Sequence, residues 1–166
     1  DKSKLPEMYQ TDNDYATILR FAIRSALIDA VKIEGSLDED DIDDIAGQAV
    51  DLGSVPIIVI RADRGAKADE LVQKMESRWD LEAKTFELAV PVQTQEDIQA
   101  LEDAAKAFHE AHHDATVIPH PIGKIAKEAM LRGDTFGAPL LYTTDGEETE
   151  TLPTSTAIHK LLHPEE

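Results

Sequence analysis

Apolar positions along this chain switch repeatedly between two spacings. Tyr15, Ile18, Leu19, Ala22, Ile23 and Leu27 recur three or four residues apart, which predicts one buried helix face, with Asp12 or Asn13 as its cap. The short run Ala30-Val31-Lys32-Ile33-Glu34 then reads as a strand, and Asp38 to Leu52 as an acidic helix ending at Gly53. Val-Pro-Ile-Ile-Val-Ile at 55–60 is continuous and β-branched, the pattern of a strand buried on both faces. Helical spacing returns over Lys67 to Trp79, and Thr85 to Val92 is the next strand. Gln95 to His113 is a long amphipathic helix with Ile98, Leu101, Ala105 and Phe108 on one side. Thr116 to Ile118 is strand-like, Lys124 to Arg132 is helical and stops at Gly133, Leu140 to Thr143 is a last strand, and Ser155 to Leu162 a last helix.

Strands alternating with helices imply parallel pairing through right-handed βαβ units. No linker is long or low enough in complexity to mark a second domain, so residues 1–166 form one α/β domain. Aromatic residues are only 5% of the chain against 42% apolar, which makes the expected core aliphatic. The net charge of −18 argues against direct binding to nucleic-acid phosphates. Solubility or a saline cytoplasm accounts for that charge more simply than a surface for a basic partner. The acidic run Asp38–Asp44 reads as a solvated helix entry that suits the helix dipole. The absence of cysteine removes disulfides, thiolate nucleophiles and Cys-ligated zinc. No run approaches the roughly 18 apolar residues of a membrane span, and no basic, apolar-cored leader opens the chain. A start at Asp1 rather than Met suggests a processed end or a cut inside a longer protein, and a cytoplasmic location is expected.

Histidines are the first candidates for chemistry. His109 and His113, with His112 between them, have a spacing compatible with a metal. Without a third ligand nearby, a favourable place at a helix C-terminus explains them better. His159 and His163 repeat the pattern near the end of the chain. His120, before Pro121, is the histidine expected among the strand ends. Neither metal nor cofactor is expected.

The stretch Glu87-Leu88-Ala89-Val90-Pro91-Val92-Gln93-Thr94-Gln95-Glu96-Asp97-Ile98 resembles the sixth strand, turn and helix start of the type I 3-dehydroquinases. Residues 25–34 are similar to the family's entry into strand four, which usually ends in an acidic residue, an aliphatic and a glutamate; here that ending is Lys32-Ile33-Glu34. Ile57 to Asp63 resembles strand five, and Gly133-Asp134-Thr135-Phe136-Gly137-Ala138-Pro139-Leu140 the approach to strand eight. The resemblance implies a (β/α)₈ TIM-type barrel, of which this chain supplies about strands four to eight. The open edges of such a partial barrel call for more chain, a protein partner or self-association.

The resemblance also implies a site at the C-terminal ends of the strands. The family's Schiff-base lysine falls at Glu87, and a carboxylate cannot condense with a ketone. Its histidine falls at Ala62, before Asp63. The glutamate that supports this histidine falls at Lys4, within Lys4-Leu5-Pro6, and the substrate-gripping arginine at Met130, near Arg132. In the closing loop the serine falls at Thr149 and the glutamine at Pro153. Glu87, Glu147, Glu148 and Glu150 would repel an anionic acid unless Arg61, Arg64 or Arg132 turns inward. Lys84 lies three residues before Glu87 and points to the other face, whereas Lys32 and Glu34 share one face of their strand. Lys32 and Glu87 are thus expected as a buried ion pair, a reading preferred to a relocated Schiff-base lysine. Lys32, Glu34, Glu87, His120, Arg132 and Thr149 are the candidate ligand contacts.

The leading expectation is a catalytically inactive, dehydroquinase-like domain that binds a quinate- or shikimate-pathway metabolite or a protein partner. The fungal quinate-pathway repressor is the precedent in kind, and a nuclear location would follow from such a role. A lyase or dehydratase using Glu87 with Lys32 or His120, and a structural oligomerisation module, are the alternatives.

Overall fold

The computed structural model describes residues 11–25 and 28–163. Lys4, Leu5, Pro6, Ala26 and Leu27, each used in the reading above, lie outside the described residues. Strands β1 (Ala30–Glu34), β2 (Val55–Arg61), β3 (Thr85–Pro91) and β4 (Thr116–Ile122) form one parallel sheet in the order β1-β2-β3-β4. Helices α1 (Asp12–Ser25), α2 (Glu39–Asp51), α3 (Ala68–Glu76), α4 (Gln95–Ala111), α5 (Lys124–Met130) and α6 (Ser155–Leu162) complete the alternation. No described helix is long and apolar enough to cross a membrane.

Strand periodicity divides the sheet into two unlike faces. Ile33, Ile58, Ile60, Phe86, Leu88 and Val90 join the main core with Ile42 and Ile45 of α2, Leu71 and Met75 of α3, and Ile98, Leu101 and Phe108 of α4. Ile57, Val59, Ala89 and Ile118 point to the other face; they are buried but stand outside that core. Polar contacts fix the helices around it. Arg20 of α1 reaches Asp41 and Asp44 of α2, each at 2.7 Å. Thr94 and Asp97 form a capping box that starts α4.

Four sequence-based expectations change. The cap of α1 is Thr11, whose hydroxyl accepts from the Asp14 amide at 3.2 Å, rather than Asp12 or Asn13. Strand β4 continues past Ile118 through Pro119, His120 and Pro121; prolines are tolerated there because β4 has one neighbour, and so an open edge, among the described residues. Helices α3, α4 and α5 end two or three residues before the expected Trp79, His113 and Arg132, in capped turns. Leu140 to Thr143 joins no sheet; instead the Thr144 amide donates to Pro153 O and the Ser155 amide to Thr144 O, each at 2.9 Å, a local bridge that takes the segment away from β4.

Gly123 marks a backbone approach that the fold requires. A Cβ there would lie 2.5 Å from Val92 O, and its φ of 155° already disfavours a side chain. Gly123→Ala is expected to destabilise by about 1–3 kcal/mol, the usual range for overpacking. Urea unfolding should show a lower midpoint at unchanged slope.

Candidate functional site

The inward face of the sheet carries two buried carboxylates, Glu34 and Glu87, and the site is built around Glu87. Glu87 sits mid-strand on β3, level with Val59 of β2 and Ile118 of β4, and is 2% exposed. Lys32 of β1 is two strands away, a span of about 10 Å between backbones, and its long side chain crosses the intervening β2. Its Nζ stands 2.6 Å from Glu87 Oε2. His120 of β4, level with Ala89, places Nδ1 2.8 Å from Oε1. Tyr142 donates its hydroxyl to Oε2 at 2.6 Å.

The three partners also touch one another. The His120 and Tyr142 rings stack at 4.0 Å, and the Lys32 ammonium lies 3.9 Å from the Tyr142 ring centroid. Tyr15 of α1 donates to Lys32 O at 3.1 Å, which ties α1 to the same edge. One step along the sheet, Glu34 takes a two-nitrogen grip from Arg61, with Nε at 2.9 Å and Nη2 at 2.7 Å.

These contacts set the ionisation of the cluster. Burial is the strongest single influence on Glu87 and opposes its charge, but the hydrogen bonds from His120, Lys32 and Tyr142 together outweigh it and hold the carboxyl at about 2. Burial, followed by the bond to that carboxylate, pushes the Tyr142 hydroxyl well above its ordinary range. Burial and the neighbouring Glu34 charge raise Tyr15 to about 12. The cluster is a charged acceptor saturated with donors. It can hold the strand ends in place and offer the exposed part of Lys32 to the mouth, while Glu87 is a weak base at neutral pH.

The structure brings Lys32, Glu87 and His120 into one cluster and leaves Glu34 beside it in its own pair with Arg61. Arg132 is exposed after α5 and does not enter the cluster. Thr149 is exposed too; its hydroxyl accepts from the Leu152 amide at 2.9 Å and its carbonyl from Lys127 at 2.8 Å, so it shapes the loop. Arg64 bonds Gln93 at 2.8 Å. Met130 and Pro153 are buried and Ala62 half-buried. Lys84 lies over the Trp79 ring at 3.9 Å, on the far face as its spacing predicts. His112 stacks on Trp79 at 4.1 Å and reaches Glu76 at 2.9 Å, while His109 Nδ1 lies 3.0 Å from Ala115 O. Among the described residues no group of three or more His, Asp or Glu is placed to hold a metal ion. Tyr142 is the member that sequence reasoning missed. It lies in the segment read as a strand, and nothing near it in the chain points to a carboxylate 55 residues earlier.

An inward-facing site on an open sheet of parallel βα units defines a segment of a (β/α) barrel. The family model for the type I 3-dehydroquinase matches residues 1–165, and the chain belongs to that family. The 3-dehydroquinate dehydratase of Salmonella paratyphi B is 27% identical over 134 residues, covering 80% of this chain and 53% of that protein. That of Salmonella heidelberg gives the same figures, so the chain spans about half the length of the curated relatives it matches. A type I 3-dehydroquinate dehydratase of Clostridium difficile, solved with covalently modified comenic acid, superposes with a TM-score of 0.77 at 19% identity, over 94% of this chain and 63% of the other. The 3-dehydroquinate dehydratase of Geobacillus kaustophilus gives 0.75 at 17%, over 94% and 62%. At such identities the structural likeness concerns the fold.

The sign of the Glu87 shift fixes a pH window. Its folded value lies below the ordinary 4.5, so its stabilisation is present above about 4.5 and is lost as pH falls towards about 2. The full effect is on the order of 3 kcal/mol. Melting temperature should therefore fall more steeply between pH 5 and 2 in the native chain than in Glu87→Gln. Parallel curves would show that Glu87 is not held ionised by its partners.

Proposed function

We propose that this chain is a dehydroquinase-family domain that binds without performing the family's imine chemistry. The observation that carries the reading is Glu87. By the resemblance it stands where the Schiff-base lysine would be, and it is a buried carboxylate bonded to Lys32, His120 and Tyr142. Ala62 at the histidine position supports the same reading, because no imidazole stands there to move a proton. Removing a nucleophile and its acid–base partner together costs many orders of magnitude in rate. A carboxylate held at about 2 does not replace them, since an effective general base titrates near the working pH.

The ligand class that fits the reading is a small hydroxylated acid of the quinate and shikimate type. It would be taken up at the strand ends, where a cavity of about 360 Å³ is lined by the cations Arg61 and Lys74 and the acids Asp63 and Glu70, with Ala62, Ala89, Pro91 and Ile122. The biological role would be regulatory, of the kind served by the fungal quinate-pathway repressor. Its output would pass to a protein partner, or to a second copy, through the outer edge of β1 or β4; each of these strands has one neighbour among the described residues.

One observation favours a second reading, in which the chain dehydrates 3-dehydroquinate as its relatives are named for doing. Lys32 puts an amine 2.6 Å from the position-87 carboxylate with its side chain 42% exposed, so an amine still faces the mouth. In that reading the amine and carboxylate have exchanged strands.

Calorimetric titration with 3-dehydroquinate, quinate and shikimate, with enone absorbance followed on the same samples, separates the two. Saturable heat at constant absorbance is expected. Growing absorbance that is abolished by Lys32→Met, with borohydride trapping substrate on Lys32, would establish the second reading. Absence of heat with all three acids would overturn the proposed ligand class.

A further inference from the structure

The surface holds a second, partly open polar hollow that the Glu87 cluster does not line. It has a volume of about 280 Å³ and lies between the end of β1, the end of β2 and the last turn of α3. Glu34, Gly35, Ser36, Arg61, Lys74, Ser77 and Arg78 supply its polar and backbone wall. Three cations thus face one carboxylate in a protein whose net charge is −18. Glu34 is spent, because each of its oxygens accepts from Arg61.

Donors are left over once the internal bonds are assigned. Arg61 uses Nε and Nη2 on Glu34, which leaves Nη1. Arg78 donates Nε to Gly35 O at 3.1 Å and Nη1 to Glu39, which leaves Nη2. The half-buried Lys74 ammonium bonds no described residue, and neither does the Ser36 hydroxyl. Compensation of the α3 dipole does not account for this set. The carbonyls of Gln73, Lys74 and Met75 already accept from the Ser77 amide, the Ser77 hydroxyl and the Arg78 amide. Gly35 contributes through its missing side chain. A Cβ there would lie 2.9 Å from Val59 O, so the backbone can turn tightly and leave the floor open.

We propose that this hollow is a binding site for a small oxyanion, a phosphate or carboxylate group, held by Lys74, Arg78, Arg61 and Ser36. Forked guanidinium donors suit the paired oxygens of such groups, and an ammonium supplies the point charge. The volume lies at the lower end for ligand pockets and fits a small anion rather than a nucleotide. The hollow shares Arg61 and Lys74 with the cavity of the metabolite reading above but adds Ser36 and Arg78, which that cavity lacks, and its test uses neither dehydroquinate nor quinate.

Amide shifts of Gly35, Ser36, Ser77 and Arg78 should be followed by two-dimensional NMR on titrating inorganic phosphate, then malonate, at ionic strength fixed with sodium chloride. Saturable shifts confined to these amides are expected. Lys74→Gln should weaken binding about ten-fold or more, and Lys74→Glu further still. Lys106→Gln, on α4 and outside the hollow, should leave it unchanged. Tighter binding of phosphate or of malonate assigns the oxyanion type. Failure of both to saturate, or equal binding by the Lys74 variants, would overturn the site.

Discussion

Everything on the inward face depends on keeping one carboxylate charged out of water. An ionised Glu87 without partners would cost several kcal/mol. The chain meets that cost with one cation, one imidazole and one phenol, drawn from β1, β4 and the segment after α5. These donors come from opposite edges of the sheet and converge on its third strand. The cluster therefore does more than neutralise a charge. It fixes the register of β1 against β3 through β2, and it pins the Tyr142 segment over the face turned away from the main core. Losing one partner would leave a buried charge partly unmet, which is why such a cluster behaves as a unit.

Glu34 shows the same constraint on a smaller scale. It stands level with Val59 and Glu87, so two carboxylates face the same interior from strands on either side of β2. Each has its own cation: Arg61 serves Glu34 from one step further along β2, and Lys32 serves Glu87 from one step back along β1. Both cations remain half exposed, at 51% and 42% for their side chains, while both acids are buried. Water can thus solvate the positive partners and not the negative ones. Hydrogen bonds rather than water therefore keep Glu87 ionised, and the mouth faces solvent with nitrogen rather than oxygen.

Much of this was legible in the sequence, for reasons that can be named. The alternation of spacings located the six helices and four strands of the described residues, because an aliphatic core leaves a clean periodic record, and it added a fifth strand, Leu140 to Thr143, that does not form. Lys32 and Glu87 could be paired in advance since both fall on inward positions of strands whose order the resemblance supplies. His120 was assigned to the strand ends, although Pro119 and Pro121 hid the strand that carries it; proline reads as a break, and only edge position makes it tolerable. Tyr142 was invisible. Its partner is distant in the chain, and the apolar run around it imitates a strand while the backbone pairs locally with Pro153 and Thr154 instead. Thr149 is a family-like position whose hydroxyl accepts from the Leu152 amide of its own loop.

Charge distribution links the two sites. Acidic residues outnumber basic ones 34 to 16, and half of the described cations form an ion pair. Arg20, Lys32, Arg61, Arg78 and Lys127 are among them. In such a chain a half-buried ammonium that bonds no described residue calls for a cause. Lys74 is such a group, and Arg61 stands beside it with a free nitrogen while its other two hold Glu34. Arg61 therefore belongs to both regions, as the partner of an inward acid and as a wall of the hollow by α3. An anion in that hollow would compete with Glu34 for the guanidinium, and Glu34 lies level with Glu87 on the same face. Occupancy of one region would in this way reach the other through a single side chain, with no rearrangement of the strands required.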